Sequence, residues 1–190
     1  MTFRVAHLSI PKAGERENGD AVLVRQDDVQ RQWILAVIDG LGHGPTAAEA
    51  SRAAVRRLQA VSMDLPMLDM MRAVHHELGG TIGASATVCA ISGRKLEACA
   101  VGNVRFASAG SSVPIVPSAG VLGRRVQKFR VCRCELGPHT WLALFSDGIS
   151  PSARLLEAEM LTPETACKAF ISRFRKREDD ATILFARMED

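Results

Sequence analysis

The chain has 190 residues, 47% of them hydrophobic and 24% charged, with a formal net charge of +3. That balance belongs to a folded globular protein and argues against disorder; the length suits one domain over residues 1–190 with a continuous buried core. A charge this small gives no sign of nucleic acid, no apolar stretch reaches the length of a membrane span, and the N-terminus lacks the features of a secretory signal, so the expected compartment is the cytoplasm.

In chain order, strands come first. TFRVAHLSI (2–10) alternates, AVLVRQ (21–26) follows Gly19-Asp20, and WILAVI (33–38) is a continuous apolar run of the kind buried on both faces. Helix follows from Gly44-Pro45, where Ala47, Ala50, Ala54, Leu58 and Val61 recur at helical spacing and Pro45 sits in a first turn that tolerates it. A second helix is predicted from about Pro66 to Leu78, stopped by Gly79-Gly80. SATVCAIS (85–92) and KLEACAVG (95–102) flank the turn SGRK as a hairpin, and NVRFASAG (103–110) continues it as a meander. HTWLALFS (139–146) is a second buried strand, PETACKAFISRF (163–174) a helix, and ATILFARM (181–188) a last strand. Strands in groups and helices in groups point to an α+β fold rather than a doubly wound parallel sheet.

Five cysteines without a C-x-x-C pair indicate neither a disulfide framework nor a zinc ribbon, and Cys132 and Cys134 alternate as the inward side of a strand. RFRKRE (173–178) is locally basic and reads as a solvated helix end. None of the histidines His7, His43, His75, His76 and His139 has the i, i+4 pairing of a zinc helix; His43, in a glycine loop, either packs passively or serves as a general acid.

The acids carry the chemistry. Asp20 precedes AVLV, Asp39 ends WILAVI, Asp147 follows LALFS, and Asp179-Asp180 precede ATILF. Each stands at the boundary of an apolar strand, where its carboxylate can face a cleft at the edge of the core. Gathered carboxylates repel one another unless cations neutralise them or some stay protonated, and oxygen-only ligands suit magnesium or manganese. Taken alone, Asp-Gly is far more often a turn than a ligand.

The ordered set Gly19-Asp20, Asp39-Gly40-Leu41-Gly42-His43-Gly44, Ser85-Ala86-Thr87, Val101-Gly102-Asn103, Ser146-Asp147-Gly148 and Asp179-Asp180-Ala181-Thr182 resembles the PPM family, the metal-dependent phosphoprotein phosphatases related to phosphatase 2C. VGNVRF (101–106) and the short length make it similar to the small bacterial members of stress and sporulation regulation. The resemblance implies two packed antiparallel β-sheets flanked by helices, an αββα sandwich. It also implies hydrolysis of phosphoserine and phosphothreonine with two divalent cations, manganese before magnesium. Carried over by position, Asp39 resembles the carboxylate bridging the two metals, Gly40 the carbonyl ligand, Asp147 and Asp179 the acids that complete the second metal's shell and with Asp39 make up the catalytic set, and Asp20 an outer or water-mediated ligand. Asp180 is the weaker of its pair, an exposed charge capping a turn if it has no role, and Asn103 either orders the neighbouring backbone or is a plain turn residue. For the phosphate-gripping arginine of better-known members only Arg4 and Arg16 are candidates. The implied partners are phosphorylated STAS-domain proteins of the stressosome, with no nucleic acid and no membrane. The alternatives are a pseudophosphatase that binds phosphoprotein without cleaving it, a nucleotide-binding module suggested by GLGHG, and a metal-dependent hydrolase of small phosphate esters.

Overall fold

The computed structural model describes residues 2–158 and 160–189. One sheet has the strand order β1 (Thr2–Ile10), β11 (Ala181–Glu189), β10 (Trp141–Phe145), β6 (Arg105–Ala109); the other runs β2 (Asp20–Asp27), β3 (Gln32–Gly40), β4 (Ala84–Ser92), β5 (Lys95–Val101), β9 (Val131–Glu135). Every paired strand in both sheets is antiparallel. The short strands β7 (Gly120–Val121) and β8 (Arg125–Val126) form a separate ribbon. Helices α1 (Gly44–Ala60) and α2 (Met67–Glu77) cover the five-stranded sheet, and α3 (Pro163–Phe174) covers the four-stranded one.

The continuous apolar runs follow from this layering, because a strand in the middle of a sandwich of four layers is buried on both faces. In β3, Ile34, Ala36 and Ile38 pack towards α1 and α2, while Trp33, Leu35 and Val37 face the other sheet. β11 repeats the division: Ile183 and Phe185 meet α3, and Leu184 and Ala186 point into the seam between sheets. Five alanines on the buried side of α1, together with Gly40, let the helix lie close on β3; a side chain at Gly40 would run into the backbone of Ala47. Thr162 caps α3 by accepting from the Thr165 N–H at 3.3 Å, ahead of Pro163 in the first turn.

The β4–β5 hairpin forms as expected, but the chain does not continue as a meander. After a turn at Gly102-Asn103 it leaves for the opposite sheet, where β6 pairs with β10. The basic run also differs from expectation: α3 ends at Phe174, Arg175 donates to the Pro11 carbonyl at 2.6 Å, and Lys176 donates to the backbone carbonyl of Asp147 at 2.7 Å. The cysteines are free; Cys89, Cys99 and Cys167 are buried, and burial pushes the Cys99 thiol up to about 11 and the Cys167 thiol to about 12, so both stay protonated core groups. No helix among the described residues is long and apolar enough to cross a membrane.

Candidate active site

In an antiparallel sheet the end of one strand lies beside the start of the next, so acids at successive strand ends and starts collect along one rim. Asp20, the first residue of β2, is the register partner of Asp39 near the end of β3, and Asp39 also faces Ser85 on β4. In the second sheet β10 ends just before Asp147, and β11 begins just after Asp179 and Asp180. The two rims meet in a cleft of about 240 Å³ lined by Asp39, Leu41, Gly42, His43, Asn103, Asp147 and Asp179. Residues 140 positions apart in sequence thus share one wall, and α1 starts directly behind them at Gly44 with its electropositive end toward the cleft.

Electrostatics mark the cleft as a place built for something absent from the protein itself. Burial first, and then repulsion from Asp20, Asp147 and Asp179, lifts the Asp39 carboxyl to about 8. Asp20 rises to about 7, again chiefly through burial, with the Ser146 and Thr182 hydroxyls pulling it partly back. Asp179 is raised by burial and by Asp147. Buried carboxylates this crowded destabilise a fold unless a cation or protons neutralise them. Asp20 Oδ2 is moreover buried with no hydrogen-bond donor.

The donor set fits a hard divalent cation: carboxylate oxygens, the nearby Gly40 at the end of β3, and no thiolate. Among the described residues, no three His, Cys, Asp or Glu side chains stand close enough to cage an ion unaided. A cation here would therefore complete its shell with water, as magnesium habitually does.

The supporting contacts were only partly expected. Asn103 does more than order backbone: its Nδ2 donates to Asp147 Oδ2 at 2.7 Å and holds that carboxylate in place. Asp180 is not an exposed charge; it is buried and accepts from the Lys12 N–H at 2.8 Å and the Gly19 N–H at 3.0 Å, tying the loop before β2 to the start of β11. Adjacent extended residues point opposite ways, so of this pair one acid enters the cleft and the other fastens the loop behind it. Glu15, which sequence reasoning passed over, is 2.9 Å from His43 Nδ1. Of the two arginines considered for gripping phosphate, Arg4 is taken by Glu164 at 3.0 Å, and Arg16 is exposed on the loop between Glu15 and Glu17. His75 accepts from the Gly123 N–H at 3.1 Å and so ties the β7–β8 ribbon to α2.

Residues 30–189 match the family model described as stage II sporulation protein E. The chain is similar to the phosphoserine phosphatase RsbX of Bacillus subtilis (strain 168), 26% identical over 183 residues, 93% of this chain and 90% of that protein. It is also similar to a solved structure from work on the bacterial stressosome as a modular system adapted to control secondary messenger signalling, with 28% identity, a TM-score of 0.89, and coverage of 98% of this chain and 100% of that one. A crystal structure of RsbX in complex with magnesium shares the fold at a TM-score of 0.85 and 22% identity, over 98% of this chain and 96% of the other.

Proposed function

The chain belongs to the stage II sporulation protein E family, and from that premise we propose that it is a metal-dependent protein serine/threonine phosphatase. The observation that carries the reading is the cleft in which Asp39, Asp147 and Asp179 face one another with the donorless Asp20 oxygen nearby. The likeness over most of its length to a phosphoserine phosphatase supports the reaction class, and the likeness to a stressosome structure supports partners in that assembly. In this reading the substrates are phosphorylated STAS-domain scaffold proteins, the compartment is the cytoplasm, and residues 1–190 act as one catalytic domain.

Asp39, Asp147 and Asp179, with the Gly40 carbonyl, hold two divalent cations, manganese by preference, and Asp20 serves them from behind. Bound there, such ions supply Lewis acidity toward a water nucleophile and neutralise charge on phosphoryl oxygens. The protein's own part is positioning. Asn103 and Lys176 fix the carboxylate and the backbone of Asp147, respectively, and Asp180 fastens the loop that ends at Asp20. His43, oriented by Glu15, lies at the cleft wall where it can give a proton to the departing seryl or threonyl oxygen.

Calorimetric titration with manganese, paired with release of p-nitrophenol from its phosphate ester, tests this. The protein should bind manganese and hydrolyse the ester only with it. Asp39→Asn should lose both, with activity down by about a thousandfold or more. Full turnover by Asp39→Asn, or manganese binding without hydrolysis of any ester or phosphoprotein, would sink the proposal; the latter result would favour a pseudophosphatase.

A further inference from the structure

A second hollow, of about 350 Å³, lies beside the cleft and has no part in the chemistry above. Its walls are apolar, with Phe106, Ile115, Pro117 and Leu155 among them, but two guanidinium groups, Arg105 and Arg154, also line it. Arg105 is half-buried, lies 5.2 Å from the centre of the Phe145 ring, and donates through Nη2 alone, to the carbonyls of Ile149 at 2.7 Å and Ser150 at 3.0 Å. Its Nε and Nη1 groups take no part in those bonds. Arg154 is exposed and makes one long bond, 3.4 Å, to the Pro151 carbonyl.

Neither arginine forms an ion pair among the described residues, although exposed arginines elsewhere, such as Arg52 with Glu17 and Arg133 with Glu97, find acids. Burial first, and then the charge of Arg154, lower the Arg105 pKa, with Asp147 acting in the opposite sense. An anion between them would relieve that repulsion and accept the free N–H groups of a planar fork. The rim is unusual as well: Val116 and Leu156, chain neighbours of lining residues, are among the few large apolar side chains left exposed, at 51% and 72%.

The hollow also adjoins the segments that hold the acid rim. Arg105 is two residues from Asn103, which holds Asp147, and the carbonyls that Arg105 grips belong to Ile149 and Ser150, just after Asp147-Gly148. Two residues of extended chain span about 7 Å at most. The hollow is therefore close enough to the acid cleft for residues a few positions from a phosphorylated side chain to reach it.

We propose that the Arg105–Arg154 hollow is a docking subsite for the substrate protein, taking an acidic side chain with an apolar neighbour two to four residues from the phosphorylated serine or threonine. The inference rests on the phosphatase reading and assigns its specificity to a surface outside the metal cleft. It calls for an acid-plus-apolar segment, because the guanidinium pair supplies charge and the walls supply only burial.

Two phosphoserine peptides decide it, alike except that one carries Glu-Leu pairs on either side of the phosphoserine and the other Gln-Leu. With manganese present, the protein should show kcat/KM on the order of tenfold higher for the Glu peptide. Arg154→Gln should shrink that preference and Arg154→Glu should erase or reverse it, while turnover of p-nitrophenyl phosphate stays unchanged in both; an exposed residue with one weak bond leaves the fold intact. An equal preference in all three proteins overturns the docking site, as does a parallel loss on every substrate. Should the unaltered protein hydrolyse p-nitrophenyl phosphate yet ignore the Glu-to-Gln change, docking fails and the phosphatase reading stands; should it hydrolyse nothing, both fall.

Discussion

The strands β3, β10 and β11 build two places of opposite character. Along the seam between the sheets they contribute Leu35, Val37, Leu142, Leu144, Leu184 and Ala186, all wholly buried, and nothing there calls for a partner. At or just beyond their ends the same strands hold Asp39, Asp147 and Asp179, and there burial raises the pKa values of Asp39 and Asp179 and opposes folding. In the seam, removing water is the driving force. At the rim it is a cost that the seam must offset, and under the proposed function that charge is what hydrolysis requires.

The contrast can be broken by mutation or by pH. Truncating the seam has the larger effect: Leu184→Ala should lower stability by about 2–5 kcal/mol in urea unfolding while kcat per folded molecule is kept. A fall in kcat without loss of stability would mean that seam and rim are not separable. Next comes pH. Asp20 and Asp39, at about 7 and about 8, hold their protons more tightly folded than unfolded, so they stabilise the metal-free protein fully below about pH 4 and cease to do so as pH rises toward 8. Pairs such as Glu164 with Arg4, where the carboxyl is lowered to about 2, act in the opposite sense in acid, so the window to watch is pH 5 to 8. Metal-free protein should lose stability steadily across it, and manganese should abolish the slope by replacing the protons. A flat profile without metal would contradict the crowding of carboxylates.

The smallest effect separates positioning from metal chemistry within the rim itself. Glu15→Gln loosens His43, so kcat on a phosphoserine peptide should drop roughly tenfold, while p-nitrophenyl phosphate, whose leaving group departs without a proton, is hydrolysed as before. An equal drop on both esters would remove His43 from the role of proton donor.

Much of this was legible in the sequence because each signal was local. WILAVI and ATILF announce strands buried on both faces, Gly44-Pro45 announces a helix start, and an acid beside each run marks the rim. What escaped depends on tertiary placement. Nothing in NVRFASAG says that β6 changes sheets, since a single turn at Gly102-Asn103 serves either course. Asp179 and Asp180 are the same residue type side by side, and only the strand's alternation sends one to the cleft and the other to two backbone N–H groups. Arg175 and Lys176 sit in a run whose composition reads as solvated, yet each bonds a carbonyl across the fold.

The pairing of β1 with β11, register partners from Thr2↔Glu189 to Ile10↔Ala181, sets a timetable for synthesis. Among the described strands β11 is the sole neighbour of β1 in its sheet and lies between β1 and β10, so β1 cannot join its sheet until β11 is in place. While the chain emerges from the ribosome N-terminus first, the acid rim stays open, because Asp179 arrives with the strand that closes the sheet. A chain cut before residue 181 should therefore leave β1 without its partner and the four-stranded sheet open at the rim where Asp179 belongs.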